Sequence, residues 1–159
     1  MPAGETGNEK SYMSAKVFID TNVLVYVYDR SEPEKQRRAL EILDQLVSTR
    51  TGVISPQVMS EFFVTVTQKI AWPLSVTDAY ERLANYLQIW TVTELTGLIV
   101  LEAARGVRDH QLNFWDAQIW ATARLNQIPL VLSEDFSSGS VIEGVRFANP
   151  FEEGFRLEG

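Results

Sequence analysis

Short apolar runs alternate along the chain with longer segments in which apolar residues recur every three or four positions. The apolar runs have the length of buried strands and lie at 17–19, 52–55, 92–93, 129–133 and 145–148. The helical spacing predicts helices at 23–28, 33–47, 56–69, 76–90, 94–107 and 114–126. Strands that alternate with helices in this way predict an α/β domain with a mainly parallel sheet.

Local signals at the helix ends support these boundaries. Ser31 to Glu34 has the pattern of a capping box with proline in the first turn. Ser55, Asn113 and either Ser75 or Thr77 are predicted caps of later helices. The predicted core faces of the second and fourth helices consist of Ala39, Leu40, Leu43, Leu46, Val47, Ala79, Leu83, Tyr86, Leu87 and Trp90.

Length and composition predict one domain. Residues 1–15 are polar and have the composition of a disordered leader, so the ordered domain is expected to span 16–159, with Met13 as an alternative start. The longest apolar stretches, such as 23–28, are far below the ~20 residues of a membrane-spanning helix. The first fifteen residues lack the apolar region of a signal peptide. We therefore expect no membrane contact and a location in the cytoplasm.

The side-chain inventory excludes several kinds of catalytic site. The chain has no cysteine and one histidine, His110, so it has no thiol nucleophile, thiolate metal site or histidine cluster. No G-x-S-x-G motif accompanies His110. Carboxylates acting with metal ions and water remain as the route to hydrolysis.

Net charge limits the choice of partner. A net charge of −7 makes the whole chain a poor general binder of polyanions. If four of the acids surround metal ions, the remaining charge is −3. The overall charge then says little about the electric field at such a site.

Four acids occupy positions where a ligand site forms in an α/β domain. Asp20 follows the first strand and Asp135 follows the strand at 129–133, while Glu61 and Asp116 lie in the early turns of two helices. Ligands of open parallel sheets bind outside the carboxyl ends of the strands. From the residues alone, each acid also has a non-catalytic interpretation: a helix cap for Asp20 and Asp116, an exposed helix face for Glu61 and a turn for Asp135.

The sequences around these acids resemble the PIN-domain family. The similar segments, in order, are Val17-Phe18-Ile19-Asp20-Thr21-Asn22-Val23-Leu24, Ser60-Glu61-Phe62, Phe114-Trp115-Asp116-Ala117 and Leu130-Val131-Leu132-Ser133-Glu134-Asp135-Phe136. They span roughly residues 16–151, and the chain most resembles VapC-type toxins, the ribonuclease halves of bacterial toxin–antitoxin pairs.

The resemblance implies a three-layer PIN-like fold and RNA cleavage that depends on Mg²⁺ or Mn²⁺. It assigns catalysis and metal binding to Asp20, Glu61, Asp116 and Asp135, and it implies a homodimer and a small antitoxin protein. Glu134 competes with Asp135 for the fourth position, and the spacing favours Asp135. Ser133 stands where the family commonly has threonine, and its hydroxyl is expected to orient water. Thr21 and Asn22 are candidate supports of the metal ligands.

Other interpretations remain open at this point. A non-catalytic binding module and an RNA-processing nuclease that is not a toxin are the alternatives within the fold. A phosphotransferase of the haloacid-dehalogenase type requires a second aspartate where this chain has Asn22. Outside the acids, we expect Arg30, Lys35, Arg37 and Arg38 on a solvated helix face, Trp115 and Trp120 in the core, His110 in a loop and Arg124 at the surface.

Overall fold

The computed structural model describes residues 15–158, so all of the predicted leader except Ala15 lies outside the described residues. The elements in chain order are β1 (Val17–Ile19), α1 (Thr21–Tyr26), α2 (Pro33–Thr49), β2 (Gly52–Ile54), α3 (Pro56–Gln68), α4 (Val76–Ile89), β3 (Thr91–Val92), α5 (Gly97–His110), α6 (Phe114–Leu125), β4 (Leu130–Leu132), β5 (Val141–Ile142) and β6 (Val145–Ala148). Among residues 15–158, no helix is both long and apolar enough to cross a membrane.

The strands form one sheet in the order β3-β2-β1-β4-β6-β5. Every neighbouring pair is parallel except β5 with β6, which forms an antiparallel hairpin. The prediction of an α/β domain with a mainly parallel sheet is confirmed. The strand at 141–142 was not predicted, because two residues are too short for a periodic signal.

The chain order of the strands reverses beside β1. β2 and then β3 lie on one side of β1, and β4 pairs with its other side. Ile19 lies opposite Leu132, so the residues that follow β1 and β4 leave the sheet next to each other. Such a reversal opens a crevice at the carboxyl ends of the strands.

The core explains why these short strands persist. All three residues of β1 are buried, as expected for a strand covered on both faces. The largest fully buried side chains come from both strands and helices and include Phe18, Phe62, Trp120 and Phe147. At Gly52, a Cβ atom would lie 2.4 Å from the ring of Trp90, so only glycine lets this indole pack against β2.

Most predicted helix caps are present. Ser55, Ser75 and Asn113 each accept a hydrogen bond from a backbone N–H of the first helical turn. The capping box at Ser31 is wrong, because the hydroxyl of Ser31 donates to Asp29 and the N-cap of α2 is Glu32, which makes no side-chain cap bond. Proline in the first turn is enough to set the backbone of that helix start.

The predicted core faces are partly wrong. Leu40 and Val47 of α2 are exposed, whereas Ile42 is buried. Leu87 of α4 has 61% of its surface exposed, although its neighbour Tyr86 is buried. Helical spacing identifies an apolar stripe, but the neighbouring elements decide how much of its width they cover.

Candidate active site

A cleft of about 1160 Å³ opens at the carboxyl ends of β1 and β4. Glu61, Asp116 and Asp135 line it, together with Thr21 and Asn22. Asp20 lies beneath them, with 4% of its surface exposed. Four acids from four separate segments of the chain therefore meet at one place, as the sequence analysis expects of a ligand site.

Asp20 is held by the first residues that follow the two central strands. It is the N-cap of α1, and its Oδ1 accepts from the backbone N–H of Thr21 at 2.7 Å. The hydroxyl of Ser133 donates to its Oδ2 at 2.6 Å. Burial raises the pKa of Asp20 to about 7, with smaller contributions in the same direction from Asp135 and Glu61, against the opposing effect of these hydrogen bonds.

Both carboxylate oxygens of Glu61 are fixed by neutral donors. The hydroxyl of Thr21 donates to Oε2 at 2.7 Å, and the amide of Gln57 donates to Oε1 at 2.9 Å. Gln57 stands one helical turn before Glu61 on α3, so the i,i+4 spacing brings the two side chains together. Glu61 thus faces the cleft in a defined orientation.

Asp116 lies in the first turn of α6, where its carboxylate accepts from the side-chain amide of Asn113. Asn113 is the cap of this helix, because its Oδ1 accepts from the backbone N–H of Asp116 at 2.9 Å. Burial raises the pKa of Asp116, and the negative charges of Asp135 and Glu61 raise it further.

The structure separates the two acids that compete for the fourth position. Asp135 lies in the cleft, where its Oδ2 accepts from the amide of Asn22 at 3.1 Å. Glu134 does not line the cleft; it pairs with Lys35 at 3.0 Å and accepts from the hydroxyl of Tyr26. This geometry favours the prediction of Asp135.

The four acids have no basic partner in the part of the chain that the structure describes. Within residues 15–158, neither Asp20, Glu61, Asp116 nor Asp135 makes a salt bridge. Amides and hydroxyls donate to these carboxylates instead. Across this range no three Asp, Glu, His or Cys side chains are grouped closely enough to hold a metal ion as they stand. Rotation about the side-chain bonds is therefore required before the acids share an ion.

The donor set nevertheless fits a hard divalent cation. The cleft supplies carboxylate oxygens, the ligands that Mg²⁺ and Mn²⁺ favour. Burial, and to a smaller extent repulsion from neighbouring acids, raises the pKa values of Asp20 and Asp116, so either a bound cation or a bound proton would stabilise these carboxyl groups. A divalent ion does so without removing the negative charge that makes these groups ligands.

Some residues near the site differ from their predicted roles. Trp115 is wrong as a core residue: 62% of its surface is exposed, and it lines the cleft. Trp120 is buried as predicted. His110 ends α5 and contacts Glu143, so it does not lie in a loop.

The basic residues are more engaged than predicted. Arg124 pairs with Glu102 at 3.1 Å, and Lys35 pairs with Glu134. Arg38 donates to the backbone carbonyls of Pro150 and Phe155. The expectation of a simply solvated helix face is therefore wrong for Lys35 and Arg38, which bind other segments of the protein.

Sequence reasoning missed two glutamines behind Glu61. Gln57 and Gln118 are both buried, and the amide of Gln118 donates to the side-chain carbonyl of Gln57 at 2.8 Å. The i,i+4 spacing of Gln57 and Glu61 was the one available signal. Nothing in the sequence pairs Gln118 with a residue 61 positions earlier.

Comparisons with known proteins identify the family and the fold. The family model of the PIN domain matches residues 17–137. No curated protein matches the sequence. A toxin–antitoxin complex from Klebsiella pneumoniae contains a chain that is 20% identical, with a TM-score of 0.64 over 86% of this chain and 99% of that chain.

Two further solved structures have the same fold. The toxin VapC20 of Mycobacterium tuberculosis, described as cleaving the sarcin-ricin loop, is 17% identical, with a TM-score of 0.54 over 73% of this chain and 87% of that chain. DNA-bound VapBC from Salmonella typhimurium is 15% identical, with a TM-score of 0.61 over 86% and 98% of the two chains.

Proposed function

The chain belongs to the PIN-domain family, and we propose that it is a metal-dependent endoribonuclease, the toxin of a toxin–antitoxin pair. Its structural neighbours are described as VapBC-type toxins and toxin–antitoxin complexes, which supports the toxin assignment. The proposed catalytic and metal-binding residues are Asp20, Glu61, Asp116 and Asp135. The proposed cofactor is Mg²⁺ or Mn²⁺.

One observation carries the proposal: Glu61, Asp116 and Asp135 line one cleft beside the buried Asp20. Within residues 15–158 none of the four makes a salt bridge, although Lys69 also lines the cleft. Like charges that lie close together destabilise the folded protein unless a bound ligand of opposite charge offsets their repulsion. Two divalent cations would neutralise four carboxylates, whereas one would leave a charge of −2 that repels phosphate. We therefore propose two cations when the substrate is bound.

The chain's own residues have distinct tasks in this proposal. When bound, the divalent cations supply Lewis acidity toward water and the phosphate oxygens. Asp20, Glu61, Asp116 and Asp135 would hold them, and the Ser133 hydroxyl keeps Asp20 oriented through its 2.6 Å hydrogen bond. A water oxygen would attack the phosphorus atom of the bound RNA and lose its proton to solvent. The bond from phosphorus to the leaving ribose oxygen would break, and that oxygen would take up a proton from solvent.

The rim of the cleft offers contacts that are not electrostatic. The exposed indole of Trp115 provides a flat apolar surface next to Asp116 on which an unpaired base can stack. Such a contact suits single-stranded or loop RNA. It also suits an acidic chain, because stacking does not require a positive field.

We also propose a homodimer and a small antitoxin partner. Val76 and Tyr80 on α4 and Leu98 and Leu101 on α5 are exposed, and each pair lies on one face of its helix. Large exposed apolar side chains favour a protein interface. Light scattering that gives a monomer at micromolar concentration, together with native co-purification that yields no small partner, would contradict this part of the proposal.

The decisive experiment incubates the purified protein with a mixed RNA pool. Cleavage is expected to stop in EDTA, to return with Mn²⁺ or Mg²⁺, and to be absent in the Asp20→Asn protein. Cleavage that persists in EDTA or in Asp20→Asn overturns the proposal. If the wild-type protein binds Mn²⁺ and yet cleaves no RNA, including when supplied with transcripts of its own host, it is a binding module instead.

A further inference from the structure

We propose that Gln57 and Gln118 are positioning residues that set the carboxylate of Glu61 for cation binding; this inference rests on the proposed function. The two side chains form a chain of hydrogen bonds from the interior of α6 to the cleft. Both glutamines line the cleft, but neither is a proposed metal ligand, and their side-chain hydrogen bonds lead to Glu61. Gln118, Gln57 and Glu61, in that order, are called the relay.

Both N–H groups and the carbonyl oxygen of the Gln57 side chain make hydrogen bonds. One N–H donates to Oε1 of Glu61 at 2.9 Å, and the other donates to the backbone carbonyl of Trp115 at 3.1 Å. Its own carbonyl accepts from the amide of Gln118 at 2.8 Å. A flipped amide would place oxygen against two acceptors and nitrogen against a donor, so only the observed orientation satisfies every partner.

The relay also joins the two helices that carry catalytic acids. Gln57 and Glu61 belong to α3, and Trp115 directly precedes Asp116 on α6. A single amide therefore ties the side chain of Glu61 to the backbone beside Asp116. This arrangement limits the distance between the two carboxylates that must share a cation.

Because the two glutamines of the relay are buried, the loss of one hydrogen bond between them costs free energy of folding. Gln57 is 8% exposed and Gln118 is 4% exposed. A buried amide group without a partner loses hydrogen bonds to water that nothing replaces, so each of these glutamines constrains the other.

The held carboxylate still has room for a ligand. Each oxygen of Glu61 accepts one hydrogen bond, from Thr21 or from Gln57, and a carboxylate has about four acceptor positions in all. The remaining positions are available to a cation. A ligand that is already oriented loses less rotational freedom when the cation binds, and removing such supports typically weakens metal affinity 10–100-fold.

The test measures Mn²⁺ affinity by calorimetry together with the melting temperature of the metal-free protein. Gln118→Met and Gln57→Met keep the side-chain volume and remove the hydrogen bonds. We expect each to weaken Mn²⁺ binding about 10-fold or more. Thr122→Val is the matched control: Thr122 is buried one turn further along α6, and its hydroxyl donates to the backbone carbonyl of Gln118 but not to the Gln118 side chain. It should leave Mn²⁺ affinity unchanged.

A double variant distinguishes a relay from two independent contributions. Because Gln118 acts through Gln57, adding Gln118→Met to Gln57→Met should weaken Mn²⁺ binding no further. Full additivity of the two effects would overturn the relay. If Gln57→Met does not fold, Gln57→Asn replaces it, because it retains the amide but is one bond too short to reach Glu61, and it should weaken Mn²⁺ binding similarly.

The outcomes separate this inference from the proposed function. Wild-type protein that binds Mn²⁺ while both glutamine variants bind it equally well overturns the relay alone. Wild-type protein that does not bind Mn²⁺ overturns the proposed function and the relay with it. A lower melting temperature with unchanged Mn²⁺ affinity assigns the glutamines to stability and also overturns the positioning role.

Discussion

Two clusters of acidic residues in this protein have opposite kinds of hydrogen-bonding partner. The first is the cleft, with Asp20, Glu61, Asp116 and Asp135. The second, called the ion network here, joins α5, α6 and the β5–β6 turn and consists of Glu102, Arg105, Arg108, Asp109, His110, Arg124 and Glu143. The cleft acids contact amides and hydroxyls, whereas the acids of the ion network contact guanidinium and imidazole groups.

The pKa values follow this difference. Hydrogen bonds from Arg108, above all, hold the pKa of Asp109 below its usual range, and contact with His110, followed by Arg105, does the same for Glu143. In the cleft, burial and neighbouring acids raise the pKa values of Asp20 and Asp116. The acids of the ion network thus have positively charged partners within the protein, while in residues 15–158 the four cleft acids have no salt-bridge partner.

The largest expected effect is on RNA cleavage. Asp20→Asn, Glu61→Gln and Asp116→Asn should each lower activity by ~10²-fold or more, since even supporting residues of metal sites are worth 10–100-fold. Asp135→Asn should lower it less, because an amide oxygen can still act as a ligand. Asp109→Asn in the ion network is the control and should retain activity. Cleavage by the Asp20→Asn protein at the wild-type rate would remove the distinction between the clusters.

The next effect is stabilisation by metal. A cation that binds only the folded protein adds about 2.7 kcal/mol when its concentration is 100 times the dissociation constant. Differential scanning calorimetry should show Mn²⁺ raising the melting temperature of the wild-type and Asp109→Asn proteins but not of Asp20→Asn. Equal stabilisation of all three proteins would mean that Mn²⁺ binds elsewhere.

A smaller effect concerns pH in the absence of metal. The pKa of Asp20 is raised to about 7 in the folded protein, above its value of about 4 in the unfolded chain. Between these values the folded state binds more protons, so the contribution of Asp20 to stability falls as pH rises, by at most about 1.4 kcal/mol per pH unit. Urea unfolding from pH 4 to 8 should show this loss, and the slope should flatten in Asp20→Asn.

The smallest effect compares one acid from each cluster in metal-free protein. Asp116→Asn should leave stability unchanged or improved, because it removes repulsion and Asn113 already caps α6. Glu143→Gln should lower stability by up to ~1 kcal/mol, the range of partly exposed ion pairs. Thermal unfolding measures both. A marked loss in Asp116→Asn would instead favour a capping role for its carboxylate.

Much of the site was predictable because its signals are local. Asp20 and Asp135 follow predicted strands, and Glu61 and Asp116 lie near predicted helix starts, so their convergence follows from a parallel sheet. The choice between Glu134 and Asp135 was not local. It depends on Lys35 of α2, whose ammonium group lies 3.0 Å from Glu134 in the fold.

The wrong predictions concern the burial of helix side chains by neighbouring elements. Leu87 and Trp115 belong to predicted helices, and their spacing or apolar character suggested burial. Both are exposed, because no described element packs over them. The sequence of a helix defines its apolar stripe, but burial depends on residues that are far away in the chain.

The sequence by itself determined the α/β class, the helix caps at Ser55 and Asn113, and three of the candidate acids, Asp20, Glu61 and Asp116. These features depend on residues within a few positions of one another, where backbone geometry fixes the neighbours. Only the tertiary structure decided that Gln118 supports Gln57 and that Lys35 draws Glu134 out of the cleft. Those contacts join residues 61 and 99 positions apart, and a hydrogen bond over such a distance along the chain exists only after the sheet and helices have packed.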